Sequence, residues 1–63
     1  MADIEVTNEG WIFVFYPQNE DARLVLEETA EPQQWFGNGL VVEHRCAEGY
    51  AQWLMDEFGL EVE

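Results

Sequence analysis

The run Trp11-Ile12-Phe13-Val14-Phe15-Tyr16 reads as a β-strand, and its placement organises everything around it. Aromatic and β-branched side chains suit a pleated surface. Side chains alternate across a strand, so Trp11, Phe13 and Phe15 would line one face and Ile12, Val14 and Tyr16 the other. Both sets are apolar, which fits a central strand covered on one side and partly shielded on the other. Just upstream, Asn8-Glu9-Gly10 supplies turn chemistry, with Gly10 free to take positive φ. Before that turn, Ile4 and Val6 alternate with Asp3, Glu5 and Thr7, the period-two pattern of a half-buried strand with an acidic outer face. The two strands are expected to form a hairpin, with the first at the sheet edge.

Pro17 closes the strand. Asn19 is placed to cap a helix, and Glu20 and Asp21 fall in its first turn, where the dipole favours negative charge. From Glu20 to Ala30, the residues Ala22, Val25, Leu26 and Thr29 share one face at 3.6-residue spacing. Ala22, Leu24 and Leu26 also satisfy a strand period, and the helix is the preferred reading. Glu31 and Pro32 are expected to stop it. A loop should follow from Gln33 through Trp35 and Phe36 to Gly39, then a short buried strand, Leu40-Val41-Val42, continuing to Glu43 or His44. Ala47, Tyr50, Ala51, Leu54, Met55 and Phe58 form a narrow stripe on a helix from about Cys46 to Phe58, with Gly59 at the left-handed position beyond its end. Leu60 and Val62 alternate with Glu61 and Glu63 and suggest a final edge strand.

These elements predict one α+β domain over residues 1–63: a small, mainly antiparallel sheet in ββαβαβ order with two helices packed on one face. Its core is expected to hold Phe13, Phe15, Val25, Leu26, Leu40, Val42, Ala51, Leu54, Met55 and Phe58, and Trp11 is assigned to it as well.

With 63 residues, such a core supplies roughly 3–5 kcal/mol of net stability and leaves no room for a deep catalytic cleft. Fourteen Asp and Glu stand against two arginines, one histidine and no lysine, a formal net charge of -12. Acidity alone would suggest disorder. A hydrophobic content of 48%, with three Trp, two Tyr and four Phe, is more than a charge-expanded chain carries, so folding is expected. The lone Cys46 makes no internal disulfide, and one Cys with one His cannot furnish a structural zinc site. The first residues lack a basic segment followed by an apolar one, and no apolar run approaches the ~20 residues of a membrane span, so a soluble cytoplasmic protein is expected. A surface this negative repels phosphate. Direct binding to nucleic acid or to anionic membrane is therefore not expected, and the natural partner is a basic protein surface.

His44-Arg45-Cys46 places reactive residue types side by side in sequence, but neighbours point in different directions, and a Cys-His pair needs a shared geometry with an orienting third group. The trio is read as a strand-to-helix junction. Glu27/Glu28 and Asp56/Glu57 look like acid-base or cation-binding pairs, yet adjacent helical positions diverge by ~100°, and no Asp-x-Asp-x-Asp-Gly loop is present. No catalytic set, metal site or cofactor is expected. Trp53 lies off the second helix's stripe and is a candidate contact residue, whereas Trp35-Phe36 is taken to close the end of the core.

The distribution of acids says more than any pair. On the first helix Glu20, Asp21, Glu27, Glu28 and Glu31 gather opposite Ala22, Val25 and Leu26, and Glu27 to Glu31 spans ~6 Å along the axis, comparable with the through-space repeat of phosphates along a nucleic-acid strand. A charge run is usually just a solvated face. Ordinary surfaces, however, intersperse lysine with glutamate, and here the counter-charge is missing. In its size, its scarcity of cations and its carboxylates arrayed over a compact aromatic core, the whole chain resembles the small acidic proteins of phages and mobile elements that inhibit DNA-binding defence machinery. Within that class it is most similar to a DNA-mimic anti-CRISPR protein. The segment Trp35-Phe36-Gly37-Asn38-Gly39-Leu40-Val41-Val42-Glu43-His44-Arg45 also resembles segments of small phage-type proteins.

The resemblance implies a non-catalytic inhibitor, a monomer or weak dimer in the host cytoplasm, that occupies the basic duplex-reading or PAM-reading groove of a CRISPR effector. Glu20, Asp21, Glu27, Glu28 and Glu31 would stand in for phosphates, with Asp56, Glu57 and Trp53 adding contacts. A restriction enzyme or repair glycosylase is the alternative target. An adaptor or antitoxin-like module binding through Trp53, Trp35 and Tyr50 is the alternative function.

Overall fold

Two tight hairpins build the sheet, and each turns on a glycine. The computed structural model describes residues 2–30 and 34–63. In it the chain forms β1 (Ile4–Asn8), β2 (Ile12–Pro17), α1 (Glu20–Thr29), β3 (Trp35–Phe36), β4 (Gly39–Glu43) and α2 (His44–Phe58). Between β1 and β2, Glu9 N donates to Ile12 O at 2.9 Å, which leaves Gly10 and Trp11 as the loop. Gly10 takes φ 96°, and Asn8 Oδ1 accepts from its N–H at 2.9 Å. Between β3 and β4, Phe36 pairs with Gly39 around Gly37-Asn38, and Gly37 takes φ 61°. A two-residue hairpin loop whose first residue needs positive φ selects glycine there.

The strands assemble into one antiparallel four-stranded sheet in the order β1-β2-β4-β3, so the domain is α+β and β2 is interior. The segment expected to be a loop from Gln33 to Gly39 thus contains a short strand at Trp35 and Phe36; its first residue lies outside the described residues, as does the helix stop assigned to Glu31 and Pro32. The C-terminal residues do not make a full strand. They form a single parallel bridge, Val62 to Ile4, in which Ile4 N donates to Glu61 O and Glu63 N to Ile4 O, each at 3.0 Å. The outer edge of β1 is covered by that bridge.

Both helices begin and end largely where their local chemistry dictates. Asn19 caps α1, its Oδ1 accepting from Ala22 N at 2.8 Å. Gly59 ends α2 in the left-handed region at φ 64°, its N–H donating to Met55 O at 3.0 Å. The second helix starts at His44 rather than at Cys46, directly from the last residue of β4, without a side-chain cap.

Ile4, Phe15 and Leu40 of the sheet form a buried cluster with Ala22 and Leu26 of α1 and Ala47 and Leu54 of α2. Phe15 sits at its centre, paired across the strands with Val6 on one side and Leu40 on the other. Withdrawing a side chain of that size from water is worth about 1.5–3 kcal/mol. Phe13, Val25, Val42 and Ala51 pack against the cluster as half-buried neighbours.

Three expected core residues are outside it. Trp11 is 85% exposed because it is the second loop residue of the first hairpin, where the alternation that would align it with Phe13 and Phe15 has not begun. Met55 is exposed because it follows Leu54, the most deeply packed residue of α2, and successive helical positions rotate by ~100°. Phe58 is exposed too, in the final turn of α2. Ile4 and Val14 are buried instead, Val14 on the opposite face of the sheet from Phe15 and apart from the cluster.

Candidate functional site

The acidic side chains of α1 follow from its helical phase. Ala22 and Leu26 are buried against the sheet, so Glu20, Asp21 and Glu28 point outward and are exposed. Glu27 differs from them: Arg23 Nε donates to its Oε2 at 3.0 Å, one turn away. The same guanidinium lies 4.9 Å over the Trp35 ring, a cation-π geometry that ties β3 to α1. Glu31 lies outside the described residues. Among the described residues of the expected row, three carboxylates point outward and a fourth is held by arginine.

On α2, Asp56 and Glu57 are exposed, and Gln52 Nε2 donates to Asp56 Oδ1 at 3.2 Å. Trp53 is 42% exposed, consistent with its position off the stripe. Its ring stacks on Tyr50 at 6.2 Å and meets Phe58 edge-on at 5.3 Å, and Tyr50 in turn contacts Phe15 at 5.6 Å. An aromatic chain thus runs from the middle of the core to the surface. The Tyr50 hydroxyl lies 2.7 Å from Thr29 Oγ1, which itself donates to Val25 O at 2.7 Å. Thr29 has one hydroxyl proton, so Tyr50 is the donor in that pair. Burial pushes the Tyr50 phenol above its usual value. Trp35 is half-buried and Phe36 exposed, so of that pair only Trp35 packs against the core.

The reactive residue types do not converge. His44 and Cys46 are both exposed in the first turn of α2, and Arg45 reaches back to Glu43 Oε1 at 3.5 Å. Among the described residues no three His, Cys, Asp or Glu side chains are grouped as metal ligands, and no polar or charged side chain is buried.

Sequence reasoning missed Asp3. Its Oδ1 accepts from Asn19 Nδ2 and its Oδ2 from Glu61 N, each at 2.9 Å, while its carbonyl accepts from Gln18 N at 2.8 Å. The bond from the Glu61 N–H and then the Asn19 bond hold its carboxyl below the usual carboxylate value. Nothing local in the sequence marks it, because its partners come from the N-terminus of α1 and from the end of the chain.

No protein-family model matches this chain, and no curated protein or solved structure shows significant similarity to it. Among the described residues no helix is long and apolar enough to cross a membrane.

Proposed function

We propose that the protein is a non-catalytic inhibitor that binds the basic nucleic-acid-binding groove of a defence complex, a CRISPR effector in the first instance, by presenting carboxylates in place of DNA phosphates. The observation that carries this reading is the disposition of charge. Both arginines of the chain are engaged locally with carboxylates, Arg23 with Glu27 and Arg45 with Glu43. Glu20, Asp21 and Glu28 are left on the outer face of α1 in a protein of net charge -12. A groove built from Lys and Arg to neutralise phosphates accepts carboxylates on a rigid scaffold, and association is steered at long range. Asp56 and Glu57 on α2 extend the field. The adaptor reading is the weaker one: Tyr50 is tied to Thr29 and Trp35 lies under Arg23, so of its three aromatics Trp53 alone offers a substantial free face.

The test is competition between the protein and duplex DNA for one effector across a salt series. Wild type displaces DNA, and its affinity falls as salt rises. The combination Glu20→Gln, Asp21→Asn and Glu28→Gln removes charge with little change of shape and should weaken binding about tenfold or more if each contributes modestly. Unchanged affinity in the folded variant excludes the α1 face, and a salt-independent wild type excludes charge mimicry.

A further inference from the structure

The face of the sheet turned away from the buried cluster is apolar at its centre and acidic at its rim. Strand register sets Val14 between Thr7 and Val41, Ile12 beside Glu43, and Tyr16 beside Glu5. Val14 is buried, Ile12, Tyr16 and Val41 are half-buried, and Phe36, at the β3 end, is 73% exposed. None of these five belongs to the cluster formed with the helices or to the residues packed against it. Gly39 keeps this surface smooth, since a Cβ there would collide with Val14 Cγ1 and come within 2.8 Å of Tyr16 Cε1. Glu5 and Glu43 stand at opposite ends of the face, and Glu5 shares a concavity of about 530 Å³ with Glu63, Thr7 and Tyr16.

We propose that this face is a docking surface for an amphipathic helix of a partner protein whose apolar stripe is flanked by lysines or arginines. A sheet with one covered face and one apolar open face lacks a layer, and a helix about 10 Å across spans two to three strands at ~4.8 Å spacing. Charge decides what the helix must carry. A second copy of this chain would bring -12 against -12 and set Glu5, Glu43 and Glu63 against their own counterparts. A basic-flanked helix meets those carboxylates with opposite charge while its stripe covers Ile12, Val14 and Tyr16. The proposal makes no use of α1, so the failure of either reading leaves the other standing.

The probe is a short synthetic helical peptide with a leucine stripe flanked by lysines, together with a control whose flanks are glutamates. Binding is followed by amide and methyl chemical shifts of the intact protein. The lysine peptide should perturb Ile12, Tyr16, Phe36 and Val41 at low salt, and the glutamate peptide should not bind. Phe36→Asp and, separately, Thr7→Arg alter exposed positions on the face and should each weaken binding about tenfold, whereas Glu48→Lys, exposed on α2, should change it less than about twofold, as a remote screened charge does. Perturbations confined to α1, equal affinity of the two peptides, or full binding by both face variants overturns the proposal. So does self-association of the free protein through this face, which would make a second copy the occupant.

Discussion

Asn19 holds Asp3 with one end of its side-chain amide and the first turn of α1 with the other: Nδ2 donates to Asp3 Oδ1 at 2.9 Å while Oδ1 accepts from Ala22 N at 2.8 Å. One short side chain therefore couples the helix start to the N-terminal segment, and Asp3 passes the link on to Glu61. Asn19→Ala should cost about 1–2 kcal/mol in denaturant unfolding, near the upper end for a helix cap because a tertiary bond is lost as well. Asp3→Asn should also destabilise, since an amide cannot accept from both Asn19 and Glu61. The folded Asp3 pKa is depressed below 3.8, so its contribution is fully present above the unfolded value and is lost as pH falls through the folded one. Thermal melts of wild type and Asp3→Asn should accordingly differ near neutrality and converge below about pH 3.8.

Gly39→Ala tests the packing of the open sheet face. The added methyl meets Val14 and Tyr16, and Val14 is buried and cannot retreat freely. A loss of about 1–3 kcal/mol is expected from such overpacking, measured by urea titration. Gly49→Ala is the control: a Cβ there meets nothing within 4 Å, and alanine in a helix interior should stabilise by about 0.5–1 kcal/mol.

Tyr50→Phe removes the hydroxyl that donates to Thr29 and should cost about 1 kcal/mol. In a double-mutant cycle Thr29→Val should couple to it, because the two substitutions remove the same bond. The folded protein keeps the phenol proton that the unfolded chain gives up near pH 10.0, so this residue's contribution falls as pH rises past that value. Phenolate absorbance at alkaline pH should show one tyrosine titrating late, and Tyr50→Phe should remove that component.

The sequence by itself determined the local elements and the charge. The Ile4/Val6 alternation, the apolar run from Trp11 to Tyr16, which enters the sheet from Ile12, the Asn19 cap and the Gly59 terminator are short-range chemistry. The β3–β4 hairpin was equally local. Gly37-Asn38 between Trp35-Phe36 and Leu40-Val41 is the same glycine-first loop as Gly10-Trp11, hidden by the shortness of its first strand. The sequence also placed Phe15, Leu26, Leu40 and Leu54 in the core, where they are buried, and tertiary structure decided the exceptions. Trp11 and Phe58 carry the right chemistry but stand at a loop and in a last helical turn, whereas Ile4 is enclosed because the chain's end closes over β1. The candidate site divides in the same way. Helical phase fixed the outward set Glu20, Asp21 and Glu28 and put Arg23 one turn from Glu27, but the seating of Arg23 over Trp35, the Asp3 clasp and the open apolar face around Val14 depend on contacts between residues far apart in sequence, which no local pattern encodes.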